Sequence, residues 1–166
     1  MSHLRRALLP GMNAGVLLVL CVVSPVLVGC SIQEDPNPDP RAYTDSAGYV
    51  TLDKALKDNG ITLPEDASEV RFGSYVGQDE SFDLTFGTGC GSVPRFLQES
   101  SLKGELEQST LLPSLVEGAG SAHGWKIDSY REPRGIEDDR WKSVLRSVVV
   151  AKDAEGACKV FLSALR

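Results

Sequence analysis

The stretch SVLRSVVVAKDAEGACKVFLSAL, Ser143–Leu165, decides the fold. Two apolar runs, the valine-rich SVLRSVVVA and ACKVFLSAL, lie on either side of KDAEG. β-Branched residues suit a pleated, half-buried surface, and Asp and Gly between two such runs favour a turn, so an antiparallel strand pair is expected here. Upstream, EVRFGSYV (Glu69–Val76) alternates Val70, Phe72 and Val76 against Arg71 and Tyr75. FDLTF (Phe82–Phe86) sets Phe82, Leu84 and Phe86 on one side, and GQDES between the two runs makes a second hairpin. Thr51 is placed to cap a short helix over LDKALKDN, with Asp53 in its first turn and Gly60 to stop it. Ser92 is placed to cap another over VPRFLQESSL, where Pro94 is tolerated in the first turn. Lys103–Gly124 is broken by Gly and Ser and carries no clear period. The expected fold is α+β: a small single domain with an antiparallel sheet of about four strands and two short helices on one face. A closed, barrel-like sheet is the alternative.

The domain is expected to occupy residues 49–166, because the preceding chain has a different character. Arg5 and Arg6 open the N-terminus, and VLLVLCVVSPVLV (Val16–Val28) is almost wholly apolar. That run is shorter than the roughly 20 residues a membrane-spanning helix needs, and Pro25 disfavours a long uninterrupted helix. A positive start, a short apolar core and a small residue before the break predict a signal peptide over residues 1–29. Ser31–Gly48, SIQEDPNPDPRAYTDSAG, follows at once. Pro36, Pro38 and Pro40 push their neighbours towards extended conformations and little there is apolar, so residues 30–48 are expected to form a disordered tether. Asp35, Asn37 and Asp39 have the spacing of a calcium loop, but Pro40 stands where that loop needs Gly and Ser46 where it needs Glu.

Leu27-Val28-Gly29-Cys30 closes the apolar run and resembles the lipobox of bacterial lipoproteins. The resemblance implies a diacylglyceryl group on the Cys30 thiol and cleavage between Gly29 and Cys30, leaving the mature chain anchored outside the cell membrane. One acyl chain gives marginal binding and two give a stable anchor, at about 0.8 kcal/mol per buried methylene. Arg5-Arg6 before Ala7-Leu8-Leu9 also resembles a weakened twin-arginine signal, although paired arginines occur in ordinary export signals. The layout as a whole is similar to short lipoproteins of unassigned function from high-GC Gram-positive bacteria.

Four cysteines reduce to two once Cys21 is cleaved away and Cys30 is lipidated. Outside the membrane, Cys90 and Cys158 are expected to form a disulfide. The formal net charge of −6 becomes two units more negative without the signal segment, which argues against nucleic acid as a partner.

The motifs offer no clear chemistry. GTGCGS (Gly87–Ser92) has neither the spacing of a dinucleotide loop nor that of a P-loop, and its glycines are expected to let Cys90 approach its partner. A Cys90–His123 dyad is formally possible, but His123 in SAHGW reads as a surface-loop residue. One His and two distant Cys fall short of a zinc site, so neither metal nor cofactor is expected. REPRGIEDDRW (Arg131–Trp141) reads as a charged, self-neutralising turn. Trp125, Tyr130, Arg134 and Trp141 are the candidate recognition residues, since aromatics and Arg favour binding hot spots. The expected function is a non-catalytic binding or interaction module, anchored in the cell membrane through Cys30 and facing an envelope protein or ligand. A small cell-envelope hydrolase is the alternative.

Overall fold

The computed structural model describes residues 36–108 and 111–166, with backbone alone for 139 and 140. The expected signal peptide over residues 1–29, Cys30 and residues 31–35 of the expected tether lie outside them. The elements are α1 (Leu52–Asn59), β1 (Ser68–Tyr75), β2 (Ser81–Thr88), α2 (Val93–Glu99), β3 (Glu107–Gln108), α3 (Ser114–His123), β4 (Arg131–Trp141), β5 (Val144–Lys152) and β6 (Cys158–Leu165). The strands form one antiparallel sheet in the order β1-β2-β6-β5-β4-β3. The fold is thus α+β, with six strands and three helices among the described residues in place of the expected four and two.

Strand parity divides the side chains between two faces. Cys158, Val160, Leu162 and Ala164 of β6 align with Thr88, Phe86, Leu84 and Phe82 of β2 and with Lys152, Val150, Val148 and Arg146 of β5. On that face the apolar side chains close the main core under Leu52 and Ala55 of α1 and Val93 and Phe96 of α2. Phe86 meets Phe96 edge to face, 5.2 Å between ring centres. Phe161 and Val149 have the opposite parity and pack on Val116 and Ile127. The expectation of helices on a single face is therefore corrected: α3 covers the other side. Both faces of β5 and β6 are buried, which explains why their sequences run as mostly apolar stretches rather than in strict alternation.

Local signals fix α1. The Thr51 hydroxyl accepts the Lys54 N–H at 3.3 Å, and Gly60, at φ +65°, donates its N–H to the last turn. Trp141 lies directly against Gly60, so a Cβ there would fall 2.3 Å from the indole. α2 begins with Pro94 in its first turn as expected, but the Ser92 hydroxyl donates to Asp66 instead of capping it.

Three further expectations are corrected. Arg131–Trp141 is a strand and not a turn, because Ile136 enters the core while Asp138 and Arg146 neutralise each other across β4 and β5. Pro133 lies in the register shift between Arg131 and Arg134, where a missing N–H costs no ladder bond. The unassigned stretch contains α3, which follows Pro113 and stops at Gly124, φ +67°. Finally, the chain from Pro36 to Gly48 is a folded strap and not disordered tether. Tyr43 N–H donates to Phe72 O at 2.7 Å, Phe72 N–H to Arg41 O at 3.0 Å and Ala47 N–H to Ser74 O at 2.8 Å. The residues that cover the outer edge of β1 are Arg41, Tyr43 and Ala47, while Pro36 bridges back to Ala47 within the strap.

Cys90 and Cys158 are joined by a disulfide with Cα atoms 4.9 Å apart. It ties the turn after β2 to the start of β6, where Thr88 and Cys158 are paired. Reduction, or joint replacement of both cysteines by Ala, is expected to lower the unfolding free energy by about 2–4 kcal/mol in urea titrations. Maleimide should label neither cysteine in the native, unreduced protein.

The β4–β5 connection is Lys142-Ser143, both at positive φ (49° and 64°) between the paired residues Trp141 and Val144. This is the type I′ geometry that favours Asn-Gly. Lys142→Asn with Ser143→Gly should raise stability by about 0.5–1 kcal/mol, read as a higher urea midpoint with an unchanged slope.

Candidate functional site

α3 crosses its face of the sheet and ends over β2, placing His123 against Asp83. Asp83 points to this face because its neighbour Leu84 is committed to the core and strand side chains alternate. Both carboxylate oxygens are engaged. Oδ1 accepts the Ser163 hydroxyl at 2.7 Å from the paired position on β6, and Oδ2 lies 2.9 Å from His123 Nε2. His123 Nε2 is also 3.2 Å from the Tyr75 hydroxyl, which donates to Asp45 Oδ1 at 3.1 Å. One Nε2–H shared between Asp83 and Tyr75 satisfies both contacts.

Aromatic rings enclose the imidazole. Tyr43, from the strap, stacks on it at 4.0 Å with planes 7° apart, and Trp125 donates its indole N–H to the Tyr43 hydroxyl at 2.8 Å. The His123 side chain is only 3% exposed, so the expected surface-loop histidine is instead a buried clamp between α3, β2 and the strap. Burial, and then the negative charge of Asp45, push the Tyr75 hydroxyl far above the ordinary phenol range. It therefore keeps its proton and its role as donor.

Ser163, Asp83 and His123 are the residue types of a hydrolytic triad, wired in another order. Acyl transfer needs the imidazole between hydroxyl and carboxylate, to take the proton from the nucleophile. Here Asp83 is in the middle and the Ser163 hydroxyl donates to it. That wiring holds three elements together and leaves the hydroxyl unactivated. The Cys90–His123 dyad fails for a separate reason: Cys90 is consumed in the disulfide.

The second buried charge lies on the opposite face. Arg146 is fully buried and Asp138 is 1% exposed, with Nη2 2.5 Å from Oδ2. The guanidinium also donates to Ser100 O at 2.9 Å and to Ser101 O at 3.1 Å, and it lies 5.3 Å from the centre of the Trp141 ring. Arg146 thereby pins the end of α2 to the sheet. Sequence reading missed it, although Arg146 shares the core parity of Val144 and Val148, and that was the available signal.

The four candidate recognition residues are not brought to one surface. Trp125 and Tyr130 both pack on Phe161, at 5.5 Å each, on the α3 face. Arg134 aligns with Val150 on the other face and lines a 240 Å³ pocket beside Cys90, Pro94 and Leu106. Trp141 is at the end of β4 over Gly60. Gly89, beside Cys90, lies close to the Asp66 carboxylate. Asp66 accepts the Thr88 hydroxyl (2.7 Å), the Gly89 N–H (2.9 Å) and the Ser92 hydroxyl (3.1 Å), and a Cβ on Gly89 would stand 3.1 Å from its carboxylate. Those bonds, that of Thr88 first, hold Asp66 below the usual carboxylate range.

An open groove of about 650 Å³ runs beside the β3 segment and β4. Glu105, Glu107 and Glu137 line it together with Lys103. Among the described residues no group of three or more His, Cys, Asp or Glu is placed to hold a metal ion, and no helix is long and apolar enough to cross a membrane. No family model, curated protein or solved structure matches the chain.

Asp83→Ala is expected to cost about 2–3 kcal/mol, because it strands two buried donors, whereas Ser163→Ala should cost about 1 kcal/mol. Urea titrations of both variants test this. An Asp83→Ala cost no larger than that of an exposed substitution would show that the network does not hold α3.

Proposed function

We propose that this chain is a lipid-anchored, extracytoplasmic interaction module of the cell envelope, without catalytic activity. The observation that carries the reading is Leu27-Val28-Gly29-Cys30 at the end of a short apolar run that begins behind two arginines. Two features support it. A disulfide braces the domain, as suits an oxidising compartment outside the cytoplasm. The strap is already folded at Pro36, close in sequence to the cysteine that would carry the lipid.

The buried polar groups favour binding over hydrolysis. Asp83 and Asp138 are both spent on cross-links between elements, and the Ser163 hydroxyl donates to Asp83, with His123 on the other oxygen of that carboxylate and not on the hydroxyl. The surface offered to a partner is the groove beside β4, where three carboxylates face one ammonium, so a basic segment is the complementary ligand. The anchor has a direct test in detergent phase partitioning of the protein produced in bacteria. The wild type is expected in the detergent phase and Cys30→Ala in the aqueous phase. A wild type already in the aqueous phase would overturn the anchor.

A further inference from the structure

We infer that the end of the sheet bearing Tyr49 and Val76 rests on the bilayer in which Cys30 is anchored, an inference that builds on the lipid-anchor reading above. Three observations converge on that end. The first is reach. From Cys30 to Pro36 the backbone can span at most about 20 Å, which keeps the entry point of the domain close to the lipid.

The second is where the chain enters. Pro36 is bridged to Ala47, and the Asn37 side-chain amide donates to Ala47 O and Val50 O, both at 2.8 Å. The tether therefore joins the domain beside Tyr49. Ala47 N–H also donates to Ser74 O, two residues before Val76, so the same entry point borders the end of β1.

The third is what the surface presents. Tyr49 is 61% exposed and Val76 53%, large values for apolar side chains, and both line one cleft of about 150 Å³. Around them stand two cations, each paired with an acid: Lys54 with Asp58, and Arg166 with Glu80 at 3.2 Å. A tyrosine, an aliphatic side chain and two long cations with locally balanced charge suit the headgroup layer. An amphipathic ring is stable there, and Lys and Arg stems lie along apolar surface while their heads stay hydrated.

The opposite end of the strands supplies the contrast. β6 pairs with Ser81 at its Leu165 end and with Thr88 at its Cys158 end, so the β5–β6 turn holding Glu155 is about 25 Å from Val76 along the strand direction. With the Tyr49 end on the bilayer, that turn points away from it.

The test uses the full lipidated protein, reconstituted in vesicles of phosphatidylglycerol and phosphatidylethanolamine. A benzophenone-bearing phenylalanine analogue is placed at position 49, 76 or 155, all on exposed residues, and crosslinking to lipid is measured after irradiation. Positions 49 and 76 should capture lipid at least about fivefold more than position 155. Equal capture at 155, from protein that still partitions into detergent, would overturn the orientation and leave the anchor standing. Protein that stays aqueous in detergent partitioning would overturn the anchor, and the orientation with it.

Discussion

Asp83 is a carboxylate in the second strand of a sheet whose other face is packed core. Taking such a group out of water costs several kcal/mol unless hydrogen bonds replace its hydration. Strand alternation cannot move it elsewhere, because Phe82 and Leu84 on either side are needed in the core. Ser163 reaches one oxygen from the neighbouring strand, and the other oxygen needs a donor from outside the sheet. His123 supplies it, which fixes where α3 must end. Tyr43 and Tyr75 then enclose the imidazole, which fixes the path of the strap along β1. One buried charge thus aligns a helix, two strands and the N-terminal segment.

Arg146 plays the corresponding part beneath α1 and α2. Its guanidinium has more donors than Asp138 can satisfy: Nη1 and Nη2 also reach the Ser100 and Ser101 carbonyls where the chain leaves α2, and the buried Nε has no hydrogen-bond partner among the described residues. The two buried charges share a logic: each binds a peripheral element to the sheet through groups that would be costly to leave unpaired. Such bonds are directional, so they select one placement of the helices where apolar packing alone would accept several.

The strap changes the physical picture of the tether. A chain disordered to Gly48 would let the domain tumble at some distance from a lipid on Cys30. With the chain already folded at Pro36, a lipid on Cys30, as proposed, would hold that end of the sheet close to the bilayer. The strap also covers an edge that would otherwise offer unpaired N–H and C=O groups to a neighbouring strand.

The two hairpins β1–β2 and β5–β6 were legible because alternation and turn residues are local, and α1 because Thr51 and Gly60 are textually adjacent to the helix they bound. β4 was not, because its charges read as solvated until Asp138 is known to face Arg146. Its turn was missed as well, since Lys142-Ser143 lacks the Asn-Gly signature of the geometry it adopts. Of the candidate site residues, the Cys90–Cys158 pair was legible by elimination, whereas Trp125, Tyr130, Arg134 and Trp141 gave no clue that they lie on different faces. By itself, then, the sequence determined the elements whose causes are local: periodicity, caps, turn chemistry and the lipobox-like run before Cys30. Only the tertiary structure decided the strand order, the side of the sheet that α3 covers, and the partners of Asp83, His123, Asp138 and Arg146. Those pairings join residues tens of positions apart along the chain, or hide within a strand that looks solvated, and no local pattern records which buried charge will meet which donor.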